Sequence, residues 1–252
     1  MLEHLKQVKI RFNKASKSYD DVASVQRDSA EFLVCKLLKH QKFTPQTILD
    51  CGSGTGYITE LLLKEFPKSS FYLNDIACEM LETCKAKFAK TTNIYYLLSD
   101  MMKLDTYLYD YVISNLALQW APDLQYAIRF LHSKSSDIFA FSTLLDGTFE
   151  EWQNLINKYQ TVQIKNYPKA EGLINLCNII KRHNQIFEFW IMDFPLSFDS
   201  PKAFMSYLQL LGASASENLV HLSSLKKLLK EQHNNLIVTY KVFFGIFRRE
   251  IL

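Results

Sequence analysis

Three glycines follow an aspartate within one short stretch, "LDCGSGTG", at residues 49–56. Such glycines let the backbone approach a ligand closely and leave the first N–H groups of the next helix pointing at it. Dinucleotide sites use the spacing G-x-G-x-x-G, whereas Gly52, Gly54 and Gly56 give G-x-G-x-G, and Tyr57 occupies the place of the third dinucleotide glycine. Asp50 beside the turn would repel a pyrophosphate but suit an ammonium group. The stretch therefore favours a ligand with an ammonium group and no phosphate.

Two further acids end the next two apolar runs, Asp75 after "SFYLN" and Asp100 after "NIYYLLS". Asp75 stands 21 residues after Gly54, where an acid accepts hydrogen bonds from ribose hydroxyls, and Asp100 could accept from an adenine amine. S-adenosylmethionine (SAM) fits this set, since its ammonium suits Asp50 and its carboxylate suits a helix N-terminus. The predicted cofactor is SAM, with S-adenosylhomocysteine (SAH) as its product. The predicted contacts include apolar residues beside the acids: Ile76, Met80 and Met101.

The segments around these acids alternate between strand and helix patterns from residue 46 to 142, which predicts a parallel sheet covered by helices on both faces. The fold class is a doubly wound α/β domain. We expect one domain over residues 1–252, made of four successive parts. These are a helical cap at 1–44, a cofactor-binding core at 45–145, a substrate-side helical insertion at about 146–185, and the C-terminal part of the sheet at 186–252.

Two further segments carry candidate site residues. "SNLALQW" follows the fourth predicted strand, so Asn115 and Leu116 should lie beside the cofactor, with Gln119 and Trp120 facing the substrate. Near the N-terminus, Phe12 and Tyr19 share one helical face, a spacing that also fits an ordinary core stripe. Gln26 is a further candidate cofactor contact.

Composition excludes several other classes. A net charge of +3 and a pI near 8.4 give no support for nucleic acid binding. The longest apolar runs fall short of the roughly 20 residues of a membrane span, and the start of the chain has no apolar signal core, so a cytoplasmic location is expected. The five cysteines form no C-x-x-C pair and the six histidines are scattered, so no metal site is predicted. A monomer is expected.

The chain resembles the class I SAM-dependent methyltransferases, with "DCGSGTG" as their first motif, which implies a Rossmann-like, seven-stranded, mostly parallel sheet. It resembles more narrowly the malonyl-[acyl-carrier protein] O-methyltransferases of biotin synthesis, through "QRDSAEFL", "SNLALQW", "STLLDGTFEEW" and "LQLLGASAS". It departs from the class in "HSKSSDIFAF", which lacks a Pro-Gly-Gly turn, and it matches poorly from Gln160 to His183.

The resemblance implies methyl transfer to the free carboxyl of a malonyl group on acyl carrier protein, or on coenzyme A, with Tyr19 closing over the cofactor. A carboxyl group with a pKa of about 4 is already an anion at pH 7, so Tyr19, Asn115, Gln119 and Trp120 are expected to position reactants and no general base is needed. Two alternatives stay open. One is methylation of another small carboxylic acid or a quinone precursor, and the other is cofactor binding without catalysis.

Overall fold

The apolar runs form seven strands. The computed structural model describes residues 3–161, 166–213, 227–228 and 235–250. In these residues the strands are β1 (Thr47–Cys51), β2 (Ser70–Asp75), β3 (Ile94–Leu98), β4 (Tyr109–Ser114), β5 (Ser135–Leu144), β6 (Gln185–Phe198) and β7 (Leu236–Arg249). They hydrogen-bond in the order β3-β2-β1-β4-β5-β7-β6.

The first five strands run parallel, and β7 lies antiparallel between β5 and β6. The strand order reverses direction at β1 and β4, the place where open α/β sheets bind ligands beyond the carboxyl ends of their strands. Asp50 is the next-to-last residue of β1, Asp75 is the last residue of β2, and Asn115 directly follows β4. The topology therefore brings the predicted acids and "SNLALQW" to one edge of the sheet.

Helices connect and cover the strands. Their bounds are α1 (Glu3–Ala15), α2 (Tyr19–Val22), α3 (Ser24–Lys39), α4 (Tyr57–Glu65), α5 (Cys78–Lys87), α6 (Leu124–Ser133), α7 (Glu150–Asn157), α8 (Ala170–Ile180) and α9 (Pro201–Leu210). Short 3₁₀ turns lie at Met101–Lys103 and Leu118–Trp120.

The core has two layers because successive strand residues point to opposite faces of the sheet. Ile48 and Ile113 pack with α3, α4, α5, α7 and α9, whereas Leu49 and Val112 pack with α6 and α8. The central strands are buried on both faces, which explains why their sequences are continuous apolar runs instead of alternating ones.

The predicted fold class is confirmed: a Rossmann-like seven-stranded sheet, mostly parallel, with helices on both faces and a helical segment before it. The predicted helical insertion after β5 contains helix α8, which buries Leu173, Leu176 and Cys177 against α6 and β6. That part of the predicted substrate-side insertion is a covering helix of the sheet. The helical run predicted at "SSLKKLLKE" lies almost wholly outside the described residues.

Candidate active site

The glycine loop, from Gly52 to Gly56, joins β1 to α4 through left-handed backbone. Gly52, Gly54 and Gly56 have φ values of 70°, 54° and 80°, a region that L side chains avoid. A Cβ added to Gly52 would lie 2.3 Å from the Cβ of Ala117, and one added to Gly56 would lie 2.7 Å from the ring of Phe88. These two positions need glycine for space as well as conformation. At Gly54 conformation is the main constraint.

Asn74, which sequence analysis did not select, fixes this loop to the sheet. Its carbonyl accepts from the N–H groups of Gly52 and Ser53 at 2.8 and 2.9 Å, and its amide donates to the carbonyls of Leu97 and Ser99 at 2.9 Å. The carboxyl ends of β1, β2 and β3 are thereby held together. The only sequence signal for this role is a polar residue directly before a strand-ending acid.

Asp50 is buried at the end of β1 and accepts a hydrogen bond from the Thr59 hydroxyl at 2.7 Å. Burial raises the pKa of Asp50 from its ordinary value to about 7, with a smaller raising effect from Asp75 and an opposing one from the Thr59 bond. A buried acid of this kind is stabilised in its charged form by a nearby cation.

The other two acids each bind backbone N–H groups. Asp75 accepts from Gly54 at 2.9 Å and from Ala77 at 2.8 Å, and burial raises its pKa in spite of these bonds. Asp100 accepts from the N–H of Met102 at 3.0 Å and so caps the 3₁₀ turn that follows. Since each carboxylate oxygen can accept more than one hydrogen bond, both acids keep acceptor capacity for a ligand.

The main cavity at this edge is a cleft of about 710 Å³ including its opening to solvent, a size suited to a small-molecule ligand. Its polar wall contains Asp75, Asp100 and the glycine loop. Its apolar wall comes from α1 and from the ends of β2, β3 and β4, namely Leu5, Val8, Phe12, Ile76, Met101, Leu116 and Trp120.

Two smaller cavities of about 420 Å³ each adjoin the main one and share lining residues with it. The loop cavity lies over the glycine loop and is lined by residues that include Gln26, Arg27 and Asp50. The side cavity lies toward β5 and β7 and is lined by residues that include Gln119, Tyr167 and Tyr240. None of the residues of α8 lines any of the three.

Helices α1 and α2, residues 3–22, form a lid over this site. Tyr19 lines all three cavities, and the ring of Phe12 meets Trp120 edge-on at 5.4 Å between centroids. The lid rests on α9 through the Ser18 hydroxyl, which donates to the Leu210 carbonyl at 3.0 Å. The predicted stripe of Phe12 and Tyr19 therefore faces the cavities as well as neighbouring apolar side chains.

The Asn115 side chain is used within the protein. Its oxygen accepts from the hydroxyls of Ser29 and Ser142, both at 2.7 Å, and its nitrogen donates to the Gln26 carbonyl at 2.9 Å. These bonds join α3, β4 and β5 beneath the cavities. Asn115 lines the main and loop cavities, but its side chain positions the scaffold and has little capacity left for a reactant.

The next residues are fixed in the same way. Leu116 adopts a left-handed φ of 46°, and its N–H donates to the Ser142 hydroxyl at 2.9 Å. The Gln119 amide donates to the Leu116 carbonyl at 2.6 Å. A strained branched residue persists only where its surroundings over-determine it, and such residues cluster at functional sites.

The polar groups that face the main and loop cavities fit the polar groups of SAM. Acids and backbone groups face the main and loop cavities, and the Gln26 amide oxygen is buried with no hydrogen-bond partner among the described residues. A buried acceptor without a partner is costly, and a ligand ammonium would satisfy it. Within the described ranges, no cluster of three or more metal-binding side chains occurs, and no helix is long and apolar enough to cross a membrane.

Comparison with known proteins identifies the family of the chain. A family model described as a methyltransferase domain matches residues 48–133. The malonyl-[acyl-carrier protein] O-methyltransferase 2 of Coxiella burnetii is 30% identical over 98% of this chain and 97% of its own length. The corresponding protein of Neorickettsia risticii is 29% identical, covering 96% of each chain. This chain belongs to the malonyl-[acyl-carrier protein] O-methyltransferase family.

The fold of this family member also matches solved methyltransferases. The plantazolicin methyltransferase BpumL, solved in complex with SAH, aligns with a TM-score of 0.56 over 99% of this chain and 98% of its own, at 15% identity. At that identity the likeness concerns the fold alone.

The structure of this methyltransferase family member brings most of the predicted site residues to the cavities. The predicted residues that line the main cavity, the loop cavity or the side cavity are Phe12, Tyr19, Gln26, Asp50, Gly52, Gly54, Asp75, Ile76, Asp100, Met101, Asn115, Leu116, Gln119 and Trp120. Met80 is the exception, since it is fully buried in α5 and lines none of the three. Sequence analysis missed Asn74, Tyr167 and Tyr240, which line them.

Proposed function

We propose that this protein methylates the free carboxyl of a malonyl group carried on acyl carrier protein, using SAM, and so provides the methyl ester that starts pimeloyl synthesis for biotin. The observation that carries this proposal is family membership over nearly the whole chain, 98% against the Coxiella relative. The partner named for the relatives is a malonyl-carrier protein. Malonyl-coenzyme A is a second acceptor to be tested.

The chain's own residues would hold SAM along the sheet edge. Asp50 and the Gln26 oxygen offer acceptors for its ammonium, Asp75 for its ribose and Asp100 for its adenine. Apolar contacts would come from Phe12, Ile76, Met101 and Leu116. Met80 would support this wall from behind, as a buried residue of α5.

Bound SAM would supply an activated methyl group on its sulfonium, which the acceptor carboxylate oxygen would take up while the sulfur keeps the electron pair and SAH is left. The acceptor carboxyl is already ionised at pH 7, since its pKa is about 4, so the protein need not remove a proton. Among the described residues, no histidine lines the three cavities. Methylation of a quinone carbon would ordinarily need a base.

The residues instead position the reactants and exclude water. The reaction joins opposite charges and leaves neutral groups, so water would stabilise the reactants more than the transition state. Tyr19 and Trp120 lie where the main and side cavities meet, and the lid above them would separate the reacting groups from solvent. Gln119 would position the acceptor from the side cavity.

The test is a radiolabelled methyl transfer assay with the purified full chain. Labelled SAM is offered with malonyl-carrier protein, malonyl-coenzyme A, other small carboxylic acids or quinone precursors. Base-labile label on a malonyl thioester supports the proposal, and preference for another acceptor overturns it. SAH binding with no transfer to any acceptor would indicate a non-catalytic binding protein. Restored growth without biotin in a strain lacking its own enzyme checks the physiological role.

Our expectations of a monomer and a cytoplasmic location stay predictions.

A further inference from the structure

The side cavity has an unusual lining for a site that would receive an anion. Its walls are aromatic and aliphatic, from residues that include Phe149, Leu144 and Leu211. None of its lining residues in the described part of the chain is a lysine, arginine or histidine. Among the described residues of this cavity, a carboxylate therefore meets neutral hydrogen-bond donors.

Tyrosine hydroxyls are among those donors. Tyr19, Tyr167 and Tyr240 all line the side cavity. Tyr240, on β7, is only 3% exposed, and its hydroxyl donates to the hydroxyl of Tyr207, on α9, at 3.2 Å. Two buried hydroxyls thus form a pair at the wall of the cavity.

Tyr19, Tyr167, Tyr207 and Tyr240 lie close enough for electrostatic effects on the pKa of Tyr240. Burial raises the pKa of Tyr240 well above its ordinary value, and the neighbouring Tyr207, Tyr167 and Tyr19 raise it further. Burial likewise raises the pKa of Tyr167 to about 12. All four are therefore neutral hydroxyl donors at pH 7. A hydroxyl can rotate, so Tyr240 can turn its hydrogen toward a ligand and accept from Tyr207 in exchange.

We propose that Tyr240, supported by Tyr207 and joined by Tyr167, binds the acceptor carboxylate in the side cavity through hydroxyl hydrogen bonds, with no cationic side chain among the described residues that line it. This inference rests on the proposed function for the identity of the acceptor. Hydrogen bonds to a carboxylate are roughly twice as strong as those between neutral groups. The pair would therefore hold the acid more tightly than the neutral methyl ester and favour release of the product.

Neutral donors also suit the chemistry better than an arginine. A bidentate arginine would bind the carboxylate oxygens as a fixed ion pair and neutralise the anion before it reacts. Tyrosine hydroxyls fix the direction of the carboxylate and leave its negative charge in place. With SAM bound in the main cavity, which Tyr19 and Trp120 also line, its sulfonium would supply the counter-charge.

The test uses Tyr240→Phe in the full chain, with Tyr111→Phe as the matched control. Tyr111 is a fully buried tyrosine whose hydroxyl donates to the Phe43 carbonyl at 3.3 Å and which lines none of the three cavities. Calorimetry measures SAH affinity first. In the presence of SAH it then measures binding of a malonyl thioester and of its methyl ester.

We expect Tyr240→Phe to weaken binding of the acid by about 10-fold to 100-fold, while the ester and SAH bind as in the wild type. The preference for acid over ester should collapse, and Tyr207→Phe should give a smaller loss in the same direction. Equal acid-to-ester ratios in Tyr240→Phe and Tyr111→Phe would overturn the inference. Should Tyr240→Phe not fold, Tyr207→Phe and Tyr167→Phe give the same readout. If the wild type neither binds nor methylates a malonyl thioester, the proposed function fails. If the wild type does both and Tyr240→Phe behaves like the wild type, only the role of Tyr240 fails.

Discussion

The carboxylate of Asp20, on the lid, accepts a hydrogen bond from the hydroxyl of Thr55, on the glycine loop, at 2.6 Å. Lys87 approaches the same carboxylate at 3.5 Å. The cover of the site is thus joined directly to the loop that would hold the cofactor. Thr55 is buried but the Asp20 side chain is 47% exposed, so the bond is only partly shielded from water.

Replacing Asp20 by alanine should loosen the lid. We expect faster amide hydrogen exchange across residues 15–23 and weaker SAH binding, by about 3-fold to 10-fold, since one neutral-to-charged hydrogen bond is lost. Mass spectrometry of exchange in the SAH complex measures the first effect and calorimetry the second. Asp21→Ala is the matched control, because Asp21 is the exposed neighbour on the same helix. Equal exchange in both variants would show that the bond does not hold the lid.

Gly52→Ala should disrupt the glycine loop. The new Cβ would lie 2.3 Å from the Cβ of Ala117, and left-handed backbone costs an alanine about 1–2 kcal/mol, so the loop must move. We expect lower stability in urea unfolding and at least a 10-fold loss of SAH affinity. Gly172→Ala is the control, since Gly172 is exposed in α8 with nothing within 4 Å of a new Cβ. That change should stabilise the protein by up to about 1 kcal/mol and leave SAH binding intact. Comparable binding by both variants would contradict the assigned role of the loop.

Asp75→Ala should weaken cofactor binding for two reasons. It removes acceptors for the ribose, and it releases the N–H of Gly54, which Asp75 holds at 2.9 Å. A hydrogen bond to a charged group contributes about 1.5–3 kcal/mol, so SAH affinity should fall about 10-fold to 100-fold by calorimetry.

The control for this change is Asp110→Ala. Asp110 also accepts from two backbone N–H groups, those of Gln46 and Thr47 at 2.7 and 3.1 Å, but at the opposite end of the sheet. The Asp110→Ala variant should be less stable than the wild type but bind SAH with unchanged affinity. If Asp75→Ala behaved in the same way, Asp75 would be a structural residue only.

The parts of the site that sequence analysis predicted are those with local signals. Glycines mark the loop, and an acid directly after an apolar run marks a strand end, so Asp50, Asp75 and Asp100 could be placed on one edge by parallel topology alone. These signals need only the chain on either side of each residue.

The parts that were missed depend on distant partners. The hydrogen bonds of Asn115 go to Ser29 and Ser142, which are 86 and 27 residues away, so no local pattern shows that its side chain is used in the scaffold. Tyr240 stands in an alternating strand, where a tyrosine is an ordinary residue, and only the packing of α9 beside β7 pairs it with Tyr207. A helical insertion after β5 was predicted, but its packing was not, because the contacts of α8 with α6 and β6 depend on residues distant in the chain.

The protonation of Asp50 gives a prediction on pH. Its pKa in the folded protein is raised to about 7 because it is buried, whereas in the unfolded chain it keeps the ordinary value of about 3.8. The folded state therefore binds a proton that the unfolded state has lost between about pH 4 and pH 7. The stability that this proton contributes is fully present below about pH 4 and is lost as pH rises through 7, by up to about 1.4 kcal/mol per pH unit. Urea unfolding of the cofactor-free protein should show this slope, and Asp50→Asn should reduce it.

Cofactor binding should reverse the shift. An ammonium beside Asp50 favours its charged form, so SAH binding near pH 6.5 should release about one proton and tighten as pH rises from 5.5 to 7.5. Calorimetry in two buffers of different ionisation enthalpy counts the proton, and Asp50→Asn should release none. Asp137→Asn is the control, since burial raises the pKa of Asp137 to about 6 but it lines none of the three cavities. Its variant should change the stability slope and leave proton release on binding unchanged. Proton release that persists in Asp50→Asn would place the ammonium beside another group.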